Sequence, residues 1–240
     1  MLFAEWRLIL TGPADGYVNM AIDEATLALV AEHRVPPTVR IYSWEAPCYS
    51  IGYLQHIAPL RSDLLHHKDF RCVRRLTGGR AFLHGGDLSY SVVLSQADTL
   101  LPSDVISSYE RISSGVIEGL RLMGIDARYA PPVEVQLDGY TIATAAQARR
   151  QGVILHQGTI ALTPCGLPGG DVLLKETLRP VSELVGGVID LEEGARALGM
   201  GLTRALGVDL SPGVLFAKEK RLARQLWREK YVSPEWTFSL

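Results

Sequence analysis

Within residues 74–94, RRLTGGRAFLHGGDLSYSVVL, several chemistry-bearing groups fall on one short stretch. Arg74 and Arg75 carry guanidinium groups, Thr77-Gly78-Gly79-Arg80 makes a glycine turn, and His84 adds an imidazole close behind. Two successive glycines let the backbone approach a ligand closely, and their N–H groups can converge on an anion. If the arginines end a strand they alternate across it, so one faces the loop and the other needs a different partner. His84 suits either a hydrogen bond that orders the loop or action on an incoming amine. Farther on, His156 and Gly158 sit together in a strand-like stretch, where a histidine satisfied within the core competes with a site histidine. Cys165 is the only one of three cysteines in a loop, within Leu162-Thr163-Pro164-Cys165-Gly166. A thiolate there could act as a nucleophile, provided a cation or helix end lowers its pKa. An inert loop thiol is the competing reading. Cys48 and Cys72 fall in strands and are expected in the core. Asp23 and Glu24 are expected on a helix face near the pocket mouth, and no metal-ligand spacing appears anywhere.

The elements that must position these groups follow from periodicity. Glu5 to Leu10 predicts a strand ended by Thr11-Gly12-Pro13, and Asn19 predicts the cap of a helix to about His33. Thr38 to Trp44 and Cys48 to Tyr53 predict strands, and Leu60 to Lys68 a short helix before the glycine loop. Residues 72–75 and 87–94 are the strands on either side of that loop. Tyr109, Ile112, Val116, Leu120 and Met123 share one helical face that stops at Gly124. Val133 to Leu137, the turn Asp138-Gly139, and Thr141 to Ala146 predict a hairpin, because Asp-Gly between apolar runs is a specific signal. Gly152 to Leu162 reads as a strand interrupted at His156-Gln157-Gly158. Asp190 predicts the cap of a helix to Leu206, and a last helix runs from about Leu215 to Lys230. Strands with interspersed helices predict one α/β domain (α+β in arrangement), a mixed β-sheet flanked by helices over residues 1–240.

Composition excludes some partners. The 240 residues are 47% apolar, enough for a substantial core. A net charge of −2 and a pI near 6.3 leave no electrostatic footprint for nucleic acid or an anionic membrane. The chain has three cysteines, no 18-residue apolar run and no leader-like start, so the expectation is a cytoplasmic protein.

Several stretches together resemble one family, the biotin/lipoate protein ligases and octanoyltransferases. They are residues 19–24, NMAIDE; 74–81, RRLTGGRA; His84; 88–91, LSYS; 145–147, AAQ; 156–159, HQGT; and 231–236, YVSPEW. The ordered set spans nearly the whole chain and is closer to the octanoyltransferase branch than to ligases with a Gly-Gly-Gly loop. The resemblance implies a catalytic domain like that of class II aminoacyl-tRNA and biotin synthetases, without the ligases' extra C-terminal domain. It implies transfer of an octanoyl or lipoyl group to a lysine of a lipoyl carrier domain, of the 2-oxoacid dehydrogenase E2 or glycine cleavage H protein type. Acyl carrier protein is one donor that the resemblance allows, and the sequence does not fix the donor. No cofactor is implied for a transferase, whereas a ligase would use ATP and Mg. The resemblance further implies substrate-binding roles for Arg74, Arg75, Thr77, Gly78, Gly79, Arg80, His84, Thr141, Ile142, Ala143, His156 and Gly158.

Two departures stand out. The family hairpin carries a lysine where this chain has Thr141, and a glycine where it has Thr144. A threonine hydroxyl can donate a hydrogen bond but supplies no cation. The cysteine that some octanoyltransferases carry ahead of the hairpin has no counterpart in residues 126–132, DARYAPP. Cys165 is therefore the nucleophile the sequence offers. The alternatives are an ATP-dependent lipoate–protein ligase that needs no cysteine, and a non-catalytic acyl- or carrier-binding protein, such as one subunit of a two-chain enzyme.

Overall fold

β-Branched and aromatic residues alternating with polar ones build two sheets in the computed structural model, which describes residues 5–56, 71–98, 100–165 and 178–239. In the larger sheet β1 (Trp6–Ala14) runs parallel to β11 (Leu210–Gly213) on one side and β2 (Thr38–Trp44) on the other. Antiparallel pairing then continues through β6 (Asp87–Ser95), β10 (Val153–Ala161), β9 (Tyr140–Arg150), β8 (Glu134–Leu137) and β7 (Arg128–Ala130). The smaller sheet has β3 (Cys48–Ile51) between β4 (Arg71–Arg74) and β5 (Phe82–His84). Among the described residues the α-helices are α1 (Gly16–Ala31), α2 (Val105–Leu122), α3 (Val181–Val185), α4 (Leu191–Leu206), α5 (Ala217–Leu226) and α6 (Pro234–Thr237), and a π-helical turn, Trp227–Tyr231, follows α5.

The period of two divides the large sheet into unlike faces. Val39, Ile41, Leu88, Val92, Leu94, Ile154 and Ile160 point to one side and meet Ile112, Val116, Leu198 and Leu202 of α2 and α4. Their neighbours on the same strands point the other way, toward α1. Val93 and Leu155 pack there against Leu27 and Val30, beside a set of buried polar side chains.

Some local expectations are corrected. β1 does not stop at Thr11-Gly12-Pro13. Its register with β2 shifts between Leu10 and Gly12, and the strand runs on to Ala14. Asp15, not Asn19, caps α1, its carboxylate accepting from the Tyr17 N–H at 2.8 Å. Asn19 is buried inside the helix and donates to the Ser43 carbonyl at 3.0 Å. β10 runs unbroken through His156-Gln157-Gly158 because β6 and β9 pair with it on both sides. The Asp138-Gly139 hairpin forms as expected, with φ of 51° and 84° at the two turn residues. The helix expected at Leu60 to Lys68 lies outside the described residues.

Candidate functional site

The two arginines that end β4 go separate ways, as strand alternation requires. Arg74 points toward the C-terminal tail. It donates to the carbonyls of Gly52 at 2.8 Å, Gln55 at 2.9 Å and Thr237 at 3.1 Å, while Trp236 Nε1 donates to the Arg74 carbonyl at 2.9 Å. It therefore ties α6 to the turn after β3, and its Nη2 has no hydrogen-bond partner among the described residues. Arg75 turns inward. Nη2 donates to the carbonyls of Gly78 at 2.7 Å and Arg80 at 2.6 Å, which holds the glycine loop closed. Nη1 donates to the Ser50 carbonyl at 2.8 Å and to Ser50 Oγ at 3.0 Å. Burial brings the guanidinium down to about 10, so Arg75 is a cation at neutral pH inside the protein. Thr77 anchors the other side of the loop. Its hydroxyl donates to Gln157 Oε1 at 2.7 Å, and Gln157 Nε2 donates to Asp23 Oδ2 at 2.7 Å. Asp23 is fully buried in α1 and ion-paired with Arg40 at 2.8 Å.

His84 ends β5 directly opposite Cys48 of β3, and this register sets its ring over Ser50. His84 Nδ1 lies 2.7 Å from Asp87 Oδ2, and Nε2 lies 2.7 Å from Ser50 Oγ. Asp87 accepts besides from the Gly85 N–H at 2.9 Å, from Ser89 Oγ at 2.9 Å and from the Thr159 hydroxyl. Burial pushes the Asp87 carboxyl up, but the His84 imidazole and the hydrogen bonds from His84, Thr159 and Gly85 outweigh it and leave the group below its ordinary value. The carboxylate can only accept, so Nδ1 carries a proton, and in the neutral ring Nε2 is then the acceptor. Trp44 stacks on the imidazole at 3.8 Å with planes 12° apart, and its Nε1 donates to Ser89 Oγ at 2.9 Å. The ring is thus held from its face and from both nitrogens.

These groups border a small cleft between the small sheet and the large one. Met20, Trp44 and Phe82 give it apolar walls, Ala145, Ala146 and Gly158 leave it room, and Ser50, Arg75 and His84 supply polar atoms. Of the residues singled out in the sequence, Arg75, His84 and Gly158 line it. Gly158 is small for a reason on the opposite face: a Cβ there would lie 2.3 Å from the Tyr90 ring. Ser50, Asp87 and Gln157 were not foreseen. The spacing of His84 and Asp87 was visible in sequence, whereas nothing in Cys48-Tyr49-Ser50-Ile51 marks the serine.

The other expected site residues lie elsewhere. A bulge in β9 opposite Val135 and Gln136 sends both Ile142 and Ala143 into the core behind the sheet. Thr141 and Thr144 are left on the cleft face. Thr144 lines the cleft, while the Thr141 hydroxyl donates to Glu134 Oε2 at 2.9 Å. Arg149, whose Nη groups donate to Ser103 and Ser108, does not reach in to replace a lysine. His156 points away from the cleft into the apolar side, between Tyr90 and Tyr109, where it accepts from Gln147 Nε2 at 3.0 Å. Burial lowers its pKa to about 3, so the ring is neutral. Gly78, Gly79 and Arg80 form the loop beyond the cleft wall. The Cys165 thiol donates to the His84 carbonyl at 3.3 Å from behind β5, and Cys165 is not part of the cleft lining. Cys48 and Cys72 are buried, as expected, and burial raises both thiols, Cys72 to about 12. Among the described residues no three His, Cys, Asp or Glu converge as a metal site.

The sequence profile of the lipoyl protein ligase A/B catalytic domain matches residues 15–191, most of the chain. The chain belongs to this family. An octanoyltransferase LipM of Kyrpidia tusciae is 35% identical, with 97% of this chain and 98% of the relative aligned. Among solved structures, a bi-partite lipoate protein ligase from Thermoplasma acidophilum superposes with a TM-score of 0.82 at 27% identity, covering 99% of this chain and 98% of its own. A lipoate-protein ligase A bound with ATP superposes at 0.83 and 27% identity, covering 98% and 99%. Within the lipoyl ligase A/B fold, the cleft described here lies between the glycine loop and the β9–β10 hairpin.

Proposed function

We propose that this chain is an octanoyltransferase. It moves a medium-chain acyl group, octanoyl or lipoyl, from the thioester of acyl carrier protein to a lysine of a lipoyl carrier domain in the cytoplasm, without ATP or a metal. The observation that carries the reading is the cleft itself. A wall of alanine, glycine and large apolar side chains meets a buried guanidinium whose hydrogen-bond partners are all uncharged oxygens. An apolar wall suits an apolar tail, and a cation with no carboxylate partner among the described residues favours negative charge growing on an acyl oxygen. The near full-length similarity to octanoyltransferases supports the same chemistry. The carrier domain is inferred from that similarity and from the T. acidophilum lipoylation system, which comprises a bi-partite ligase and its E2 lipoyl domain.

The test is octanoyl transfer from octanoyl-acyl carrier protein to a purified lipoyl domain, read by intact mass with and without ATP. ATP-independent mass gain on the lipoyl domain is expected. Lipoate-dependent exchange of ATP with pyrophosphate, without transfer from the carrier protein, would replace this reading by a ligase, to which the similarity with an ATP-bound ligase points.

A further inference from the structure

We propose that Ser50 Oγ is the group in this chain that accepts the acyl chain, with His84 as its general base and Asp87 as the residue that orients His84. The inference rests on the acyl-transfer reading above and names the residue through which it runs. Three observations carry it. Ser50 Oγ lines the cleft and lies 2.7 Å from His84 Nε2, the one nitrogen of that ring free to take a proton. His84 Nδ1 lies 2.7 Å from a carboxylate that is itself held by a backbone N–H and two hydroxyls. Arg75 Nη1 lies 3.0 Å from the same Oγ, so a fixed cation sits beside the oxygen where charge develops. Nucleophile, base and orienting acid in this order are recognised by geometry and role, not by chain position.

The steps balance without a co-reactant. Ser50 Oγ attacks the carbonyl carbon of an octanoyl thioester as its proton passes to His84 Nε2. The tetrahedral intermediate collapses, the C–S bond breaks, and Nε2 returns the proton to the departing thiolate, leaving an octanoyl ester on Ser50. The neutral amine of the carrier lysine then attacks the ester and gives a proton to Nε2. The C–O bond breaks, Ser50 Oγ takes that proton back, and the acyl group leaves as an amide. Trp44, stacked on His84, keeps water off the imidazole face during both halves.

The full chain is incubated with octanoyl-acyl carrier protein, and separately with p-nitrophenyl octanoate, then quenched and mapped by peptide mass spectrometry. One octanoyl group is expected on the peptide containing Ser50, stable to neutral hydroxylamine and cleaved by alkaline hydroxylamine as an oxygen ester is. Ser50→Ala is expected to lose the adduct and at least about a thousandfold in transfer. Ser50→Cys serves as the conservative partner and should acquire an adduct cleaved at neutral pH. An adduct that maps to Cys165, no adduct from either donor, or undiminished transfer by a folded Ser50→Ala overturns the proposal. The two readings separate cleanly. Acylation of Ser50 by p-nitrophenyl octanoate with no transfer to a lipoyl domain upholds the nucleophile and sinks the transferase, and transfer without acylation of Ser50 does the reverse.

Discussion

The two faces of the eight-stranded sheet are built from the same strands by the same alternation, yet they hold the molecule together in different ways. Toward α2 and α4 the contact is aliphatic and close. A Cβ on Gly201 would lie 2.2 Å from the Gly115 carbonyl oxygen, so the two helices touch backbone to backbone. Toward α1 and the small sheet, Arg40, Asp23, Ser91, Gln157 and Thr77 are joined by hydrogen bonds, and Ser50, His84, Asp87, Ser89 and Thr159 form a second network beside them. Apolar packing is indifferent to small rotations of a side chain, whereas a buried polar network is satisfied in only one arrangement. The polar face therefore gives up cohesive simplicity and gains side chains fixed to within hydrogen-bond tolerance, which is what a reaction needs.

Asp87→Asn should test the polar face hardest. With an amide in place of the carboxylate, His84 loses both its orientation and its tautomer. Transfer is expected to fall by about 10⁴-fold, by analogy with loss of the orienting acid in a serine protease triad, while the thermal midpoint moves little by comparison. A fall of less than tenfold in a folded variant would remove Asp87 from the relay.

Asp23→Ala and Leu202→Ala form a matched pair, one for each face. The first strands Arg40 as a buried, uncompensated cation and should cost about 3–5 kcal/mol in urea unfolding. It should also loosen the Thr77 anchor through Gln157, so transfer per folded molecule drops. The second empties a fully buried side-chain site between α2 and α4 and should cost about 2–5 kcal/mol, with transfer per folded molecule unchanged. Equal effects on transfer would erase the division of labour between the faces.

The histidines sharpen the same contrast. His156, on the apolar face, has its pKa lowered from 6.5 to about 3 by burial. The unfolded chain then binds a proton below pH 6.5 that the folded chain refuses, so stability is full above pH 6.5 and declines as pH falls from 6.5 toward 3. Urea midpoints across that window should flatten in His156→Gln. A slope that persists unchanged would mean that His156 is not the group responsible.

The smallest effect is expected at Thr141. The amine introduced by Thr141→Lys would meet the Glu134 carboxylate that now accepts the threonine hydroxyl. Such a half-exposed pair is worth about 0–1 kcal/mol, so transfer should stay within about threefold. A large gain would show that a cation at this position limits the reaction.

The glycine loop, the opposed directions of Arg74 and Arg75, the Asp138-Gly139 hairpin and the cap at Asp190 were legible because each is local: turn dihedrals, a period of two, or a side chain reaching its own helix end. The same local reading misplaced Asn19, which looks like a cap, because the true cap lies four residues earlier at Asp15 and burial against β2 claims the amide. It broke β10 at His156-Gln157-Gly158, where pairing on both edges outweighs the weak strand preference of glycine.

Alternation along the strands was enough to say that a mixed sheet with helices would form, and the ordered motifs were enough to name the family. Which histidine meets the cleft was decided only in three dimensions. The register of β3 with β5 sets His84 above Ser50, and the pleat turns His156 to the far side. A one-residue step in register reverses the direction of every side chain on a strand. Pairing of that kind joins residues far apart in the chain, so no local stretch contains it.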